Sequence, residues 1–394
     1  MSGKIEVGVY YFPNWHPDPR NEAWLGTGWT EWELMKIAKA RFPGHYQPIV
    51  PLWGYEDESR PEAAEKKINA AADNGLDAFI FDWYWYEDGP YLERALEQGF
   101  LQAKNNDRLK FAIMWANHDL SNIFPAHRSN PHGALVPGAV SAKAFKDATD
   151  HIINVYFSHP SYWKVGGRHY FSMFEVMTLI NGLGDVASTR EALDDFRDRA
   201  RKAGVGEIHL NAVTVGVSVN QKSIHERNEL VTKLGFDSVT SYVWVHHAPF
   251  AGFPFSPYSA MLDESEKVWD MFTTHFSVPY YPNVTMGWDS SPRTTQSDTW
   301  EDWKKGQAEE SGRAMWDAFD RFGYPMAPVL ENNTPREFQK ALLTAKSFVE
   351  TQPIEPKILT INAWNEWSEG CYLEPDTANG MAYLEAVREV FGKP

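Results

Sequence analysis

Short apolar runs rich in β-branched and aromatic residues alternate eight times with longer amphipathic stretches along this chain, and no other feature constrains the fold as strongly. The runs are Ile5–Tyr11, Asp77–Asp82, Lys110–Trp115, Tyr170–Phe174, Ile208–Val213, Ser238–Tyr242, Tyr280–Met286 and Ile358–Ala363. Near-continuous apolar runs are what strands buried on both faces look like, and parallel pairing needs a long crossover between them. Helical spacing supplies the crossovers over Glu62–Asp73, Tyr91–Asn105, Ser141–Phe157, Ser188–Lys202, part of Glu229–Leu234, Ser259–Thr274, Lys305–Phe322 and Pro335–Thr351. Asn74-Gly75, Gly204-Val205-Gly206 and Gly235 stand at helix-to-strand junctions, where a helix C-cap glycine belongs.

Eight such units in 394 residues fit a closed (β/α)8 TIM barrel better than an open doubly wound sheet. The first strand runs into Tyr11-Phe12-Pro13-Asn14-Trp15 and not into G-x-G-x-x-G, which argues against a dinucleotide-binding fold. With no repeat, low-complexity linker or composition break, residues 1–394 are expected to form one catalytic domain. The stretches Phe12–Pro61 and His118–Val140 are long for connections and are candidates for the walls of a cleft.

A formal charge of −16 disfavours nucleic acid and anionic membrane surfaces, which are bound mainly through Lys and Arg. The one cysteine, Cys371, excludes an intrachain disulfide and a cysteine-based zinc site. Met1-Ser2-Gly3-Lys4 leads directly into strand-like sequence, and no apolar run reaches 18 residues. The chain as it stands is expected in the cytoplasm, or in the periplasm or outside the cell if a leader has been trimmed. Nothing in the residues bears on oligomeric state.

In a (β/α)8 barrel, chemistry sits where the strands end. Those ends are aromatic and polar: Tyr11 to Trp15, Asp82-Trp83-Tyr84-Trp85, Asn117-His118-Asp119, Phe174-Glu175, Tyr242 to His247, Gly287-Trp288-Asp289-Ser290-Ser291-Pro292-Arg293, and Trp364 to Glu369. Flat aromatic faces bury the C–H faces of sugar rings, so the 17 Trp and 17 Tyr point either to a saccharide cleft or to an aromatic core. Candidate substrate contacts are Tyr11, Trp15, Asp82, Trp83, Trp85, Asn117, His118, Tyr242, Trp288, Asn365 and Trp367. Asp82 equally fits a loop brace, His118-Asp119 a structural pair, and Glu175 an open third carboxylate. The adjacent His246 and His247 lack ligand spacing, so neither a metal nor another cofactor is expected.

Glu366 and Glu369 are the sharpest candidates for catalysis. Cleavage of a glycosidic bond needs one group to protonate the leaving oxygen and another to attack or activate the attacker, and two carboxyls with separated pKa values supply both. Gly370 permits a turn that brings the pair together, and Trp364 and Trp367 can shield it from water. The alternative is a polar loop whose glutamates cap the last helix.

With Gly8-Val9-Tyr10-Tyr11-Phe12-Pro13-Asn14-Trp15, Gly28-Trp29-Thr30-Glu31-Trp32, Gly75-Leu76-Asp77-Ala78-Phe79, Phe81-Asp82-Trp83-Tyr84-Trp85 and Asn365-Glu366-Trp367-Ser368-Glu369-Gly370 followed by Leu373-Glu374-Pro375, the chain resembles the glycoside hydrolase family 99-like superfamily over nearly its whole length. It is most similar to the WbsX-like branch, often labelled as glycosyltransferases in polysaccharide gene clusters. The resemblance implies a (β/α)8 retaining hydrolase, akin to endo-α-mannosidases, acting on an oligosaccharide or polysaccharide. It implies that Glu366 deprotonates the substrate's own 2-hydroxyl, which attacks C1 to give a 1,2-anhydro sugar, while Glu369 acts as acid and then base. Ser368 stands where family 99 has His, and Cys371 and Tyr372 replace its usual residues after the glycine, departures that bear on the sugar more than on the chemistry. Two other function classes stay open: a transferase or transglycosylase in polysaccharide biosynthesis, and a non-catalytic saccharide-binding barrel.

Overall fold

The computed structural model describes residues 4–126, 133–297, 324–325 and 327–392. Nine parallel strands make a nearly closed barrel: β1 (Ile5–Tyr11), β2 (Ala78–Tyr86), β3 (Lys110–Trp115), β4 (Arg168–Met173), β5 (Ile208–Val213), β6 (Ser238–Thr240), β7 (Tyr280–Tyr281), β8 (Asn283–Thr285) and β9 (Lys357–Asn362). They run in chain order around the wall, and β9 returns to pair with β1. The expected strand Tyr280–Met286 is two pieces. Pro282 has no N–H for the ladder, so β7 pairs with β6 while β8 pairs with β9, and the Pro282 carbonyl accepts from the Thr360 amide at 3.0 Å.

Helices surround the barrel where the spacing places them, with local differences. α1 (Pro61–Asp73) follows the first long loop, and Gln221–Leu234 extends well beyond the segment anticipated at its C-terminal end. The predicted helix over Tyr91–Asn105 reduces to a π-helical turn, Ala95–Phe100. There Gly99 packs on the Glu58 carbonyl so closely that a Cβ would meet that oxygen at 2.3 Å. The stretch Ser141–Phe157 is an α-helix, Ala142–His151, passing into a π-helix, Ile152–Tyr156. The predicted helix Lys305–Phe322 lies outside the described residues. No described helix is long and apolar enough to cross a membrane.

Most of the aromatic surplus is core. Trp15, Trp115, Trp163, Trp269, Trp364 and Trp367 are all buried to below 2% exposure. The strands therefore end in a mouth whose rim is built by the loops after them, and the two long stretches noted in the sequence do contribute walls: Phe12 and Asn14 from the first, His118 to Phe124 from the second.

Candidate active site

After β9 the chain folds back on itself. Asn365–Glu366 pairs antiparallel with Cys371–Tyr372, and Trp367–Glu369 forms a 3₁₀ turn between them. Gly370 closes the turn at φ +66, the left-handed region, and a Cβ there would meet the Asp289 amide nitrogen at 2.7 Å. The last helix, Ala382–Phe391, has no side-chain N-cap, so the glutamates do not cap it.

Beneath this turn lies a buried ionic cluster. Lys67 on α1 contacts both Glu58 and, at 2.5 Å, Glu374. Glu374 accepts the indole N–H groups of Trp364 (2.7 Å) and Trp367 (2.9 Å). The Asn365 amide donates to Glu58 (3.0 Å) and to the Phe12 carbonyl (2.8 Å), and its oxygen accepts from the Phe12 N–H (2.7 Å). Asn365, Trp364 and Trp367 thus fix the turn from below, away from the mouth.

Above it, Arg293 joins the carboxylates. Its Nε donates to Glu31 at 2.7 Å, Nη1 donates to Glu369, and Nη2 lies 3.3 Å from Glu366 Oε2. Tyr324 also donates to Glu369, and Ser368 donates to Glu31. Asn14 holds the other Glu31 oxygen at 2.8 Å. Tyr242 Oη is 2.8 Å from Glu366 Oε1 and 2.8 Å from Asp82 Oδ2. Burial raises the Glu366 carboxyl well above the ordinary carboxylate range, Glu369 adds to the rise, and Arg293 opposes it. Burial likewise raises Glu369, against Arg293 and the Tyr324 hydrogen bond.

These groups open into a cavity of about 490 Å³. Of the residues singled out in the sequence, the structure brings Asp82, His118, Tyr242, Trp288, Glu366 and Glu369 to its lining, and Glu175 with them. The other seven lie elsewhere. Tyr11 packs between Phe79 and Phe81, Trp15 packs on Trp32, and Trp83 donates its N–H to Tyr156 at 3.0 Å. Trp85 packs on Trp83 and His151. Asn117 braces Glu175, accepting from its amide at 2.7 Å and donating to its carbonyl at 2.8 Å. Asn365 and Trp367 are the struts already described. Arg293, Glu31 and Tyr324, which sequence reasoning gave no role, complete the centre; Arg293 sits five residues beyond Trp288, and Glu31 lies within the Gly28–Trp32 segment.

A carboxylate-centred, aromatic-walled cavity at the C-terminal mouth makes this a TIM-barrel protein with a candidate active site where barrel chemistry sits. The chain belongs to the WbsX glycosyltransferase family, whose family model, described as Glycosyltransferase WbsX, matches residues 7–387. It is 27% and 28% identical to two proteins named uncharacterized protein WxcX, from two strains of Xanthomonas campestris pv. campestris, over 97% of this chain and 49% of theirs. The chain thus spans about half the length of the curated relatives it matches. In fold it is similar to a glycoside hydrolase-like protein (TM-score 0.60, 14% identity, 100% of this chain and 95% of that one). It is also similar to the GH99 endo-alpha-mannosidase from Bacteroides thetaiotaomicron (TM-score 0.53, 13% identity, 98% and 96% covered).

Proposed function

We propose that residues 1–394 form one catalytic unit, a glycoside hydrolase that cleaves an oligosaccharide or polysaccharide with participation of the substrate's 2-hydroxyl, in the manner of endo-α-mannosidases. Glu366 takes the 2-hydroxyl proton as that oxygen attacks C1 and the glycosidic bond breaks. Glu369 protonates the leaving oxygen, then takes a proton from the water that attacks C1 of the 1,2-anhydro sugar, while the C1–O2 bond breaks and Glu366 returns its proton to the 2-oxygen. The observation that carries this reading is one buried guanidinium, Arg293, reaching two carboxyls of a single short turn at the cavity wall. Burial raises both carboxyls, which suits an acid, and Arg293, reaching both, opposes the rise and favours the ionised form a base requires.

A second reading, a transferase, is favoured by the family's name. The discriminating experiment incubates the protein with a panel of soluble polysaccharides and oligosaccharides, α-mannans included, with and without nucleotide sugars. New reducing ends without a nucleotide sugar support hydrolysis. Dependence on a nucleotide-sugar donor supports transfer, and no turnover under either condition would leave a binding barrel. Glu366→Gln and Glu369→Gln are each expected to lower kcat/KM at least ~100-fold while remaining folded at the assay temperature. Parent-level activity in either variant would remove the assignment.

A further inference from the structure

Tyr242 places a proton-counting constraint on the centre. Its hydroxyl has one proton, yet its oxygen stands 2.8 Å from a carboxyl oxygen on each side, Asp82 Oδ2 and Glu366 Oε1. Were both carboxyls ionised, one of these buried contacts would set two oxygens together with no proton between them, a costly arrangement away from water. One carboxyl must therefore carry the second proton.

The surroundings decide which. Glu366 has a cation at its other oxygen, Arg293 Nη2 at 3.3 Å. Asp82 is 4% exposed, and among the described residues it makes no ion pair and its buried Oδ1 has no hydrogen-bond partner. The groups facing Asp82 are Tyr10 from β1, Tyr84 from its own strand β2, Tyr242 beyond β6, Arg293 beyond β8, and Glu366 and Glu369 beyond β9. Arg293 is the one cation among these described residues, and it contacts Glu31, Glu366 and Glu369.

We propose that Asp82 is a neutral carboxylic acid and a positioning residue for Glu366: its Oδ2–H donates to the Tyr242 oxygen, and Tyr242 in turn donates to Glu366 Oε1. The chain Asp82, Tyr242, Glu366 then holds the base ionised and oriented. Burial raises the Asp82 carboxyl well above its ordinary range; the Tyr242 hydrogen bond works against the rise and the Glu369 charge adds to it, in keeping with the neutral form. The functional meaning rests on Glu366 acting as base, but the protonation state is read on the protein alone, so the two stand or fall separately.

Infrared spectroscopy of the full chain without substrate tests it at neutral pH. The parent is expected to show the C=O stretch of a protonated carboxyl that shifts when aspartate is carboxyl-labelled with ¹³C and is absent from Asp82→Asn. A band that shifts only with ¹³C-labelled glutamate, leaving no protonated-aspartate band, would overturn the proposal. Should Asp82→Asn fail to fold, the isotope shift in the parent still decides whether a protonated aspartate is present.

Discussion

Replacing Lys67 by Met tests whether the buried cluster under the site is what holds it. Lys67, Glu58 and Glu374 have side chains 2%, 0% and 5% exposed, and the lysine is the cation shared by the two carboxyls. Met keeps most of the aliphatic stem and removes only the charge. Breaking a buried pair by removing one partner costs about 3–5 kcal/mol, because a charge is left uncompensated. An unfolding entropy of about 2.1 cal/mol/K per residue gives roughly 0.8 kcal/mol/K over 394 residues, so Tm should fall by roughly 4–6 °C. The drop should depend on pH with a definite sign. Burial pushes Glu58 up to about 7 even though Lys67 pulls it down, and loss of that pull sends it higher. A carboxyl raised in the fold contributes stability that is present below its ordinary value of 4.5 and is lost as pH rises through the folded value. The deficit in Lys67→Met, followed by thermal melts, should thus be small near about pH 4 and deepen toward about pH 8. A Tm within a degree of the parent across that range, or a deficit independent of pH, would refute the electrostatic account.

Gly370→Ala must adopt φ +66 and bring a Cβ within 2.7 Å of the Asp289 amide nitrogen, so it should cost at least about 1–2 kcal/mol in denaturant unfolding and also lower turnover; an unchanged midpoint would show the turn to be adaptable. Glu366→Gln removes a carboxyl raised by burial, whose stabilising contribution fades as pH rises past its ordinary value. The Tm of this variant relative to the parent should therefore climb with pH, and a flat or falling difference would contradict the shift. Trp83→Ala should destabilise by about 3–5 kcal/mol with KM unchanged, since its ring is packed against Tyr156 and Trp115, whereas Trp288→Ala should raise KM. The reverse pattern in steady-state kinetics would exchange their roles.

The barrel was legible because strand and helix periods differ and because strands buried on both faces leave near-continuous apolar runs. What the pattern missed is local. The split at Pro282 was visible as a proline inside an otherwise continuous run, and the shortened helix at Ala95–Phe100 follows from the close approach of Gly99 to Glu58, a tertiary contact that no helical spacing records. The turn from Trp364 to Gly370 was legible as chemistry, two glutamates three residues apart ending in a glycine. Its partners were not, since Arg293, Glu31 and Tyr324 come from three other parts of the chain and meet only through the closure of the barrel.

Strand parity explains which expected contacts reach the cavity. Side chains alternate across a strand, so residues two apart share a face. On β2, Asp82 and Tyr84 line the cavity while Trp83 packs on Tyr156 and Trp85 on His151, the side facing the helical layer. On β3 and just beyond it, Met114, Ala116 and His118 line the cavity, whereas Trp115 stacks on Phe145 of the helix Ala142–His151. On β1, Tyr10 packs on Tyr242 toward the barrel axis and Phe12 lines the cavity, while Tyr11 turns toward Lys67 of α1. An aromatic at a strand end is therefore no guide to a sugar platform until its parity is set, and one inward-facing residue per strand is enough to set it. Asp82 provides that reference on β2: a carboxyl facing the mouth sends both neighbouring tryptophans into the helical layer, where their burial stabilises the wall that holds it in place.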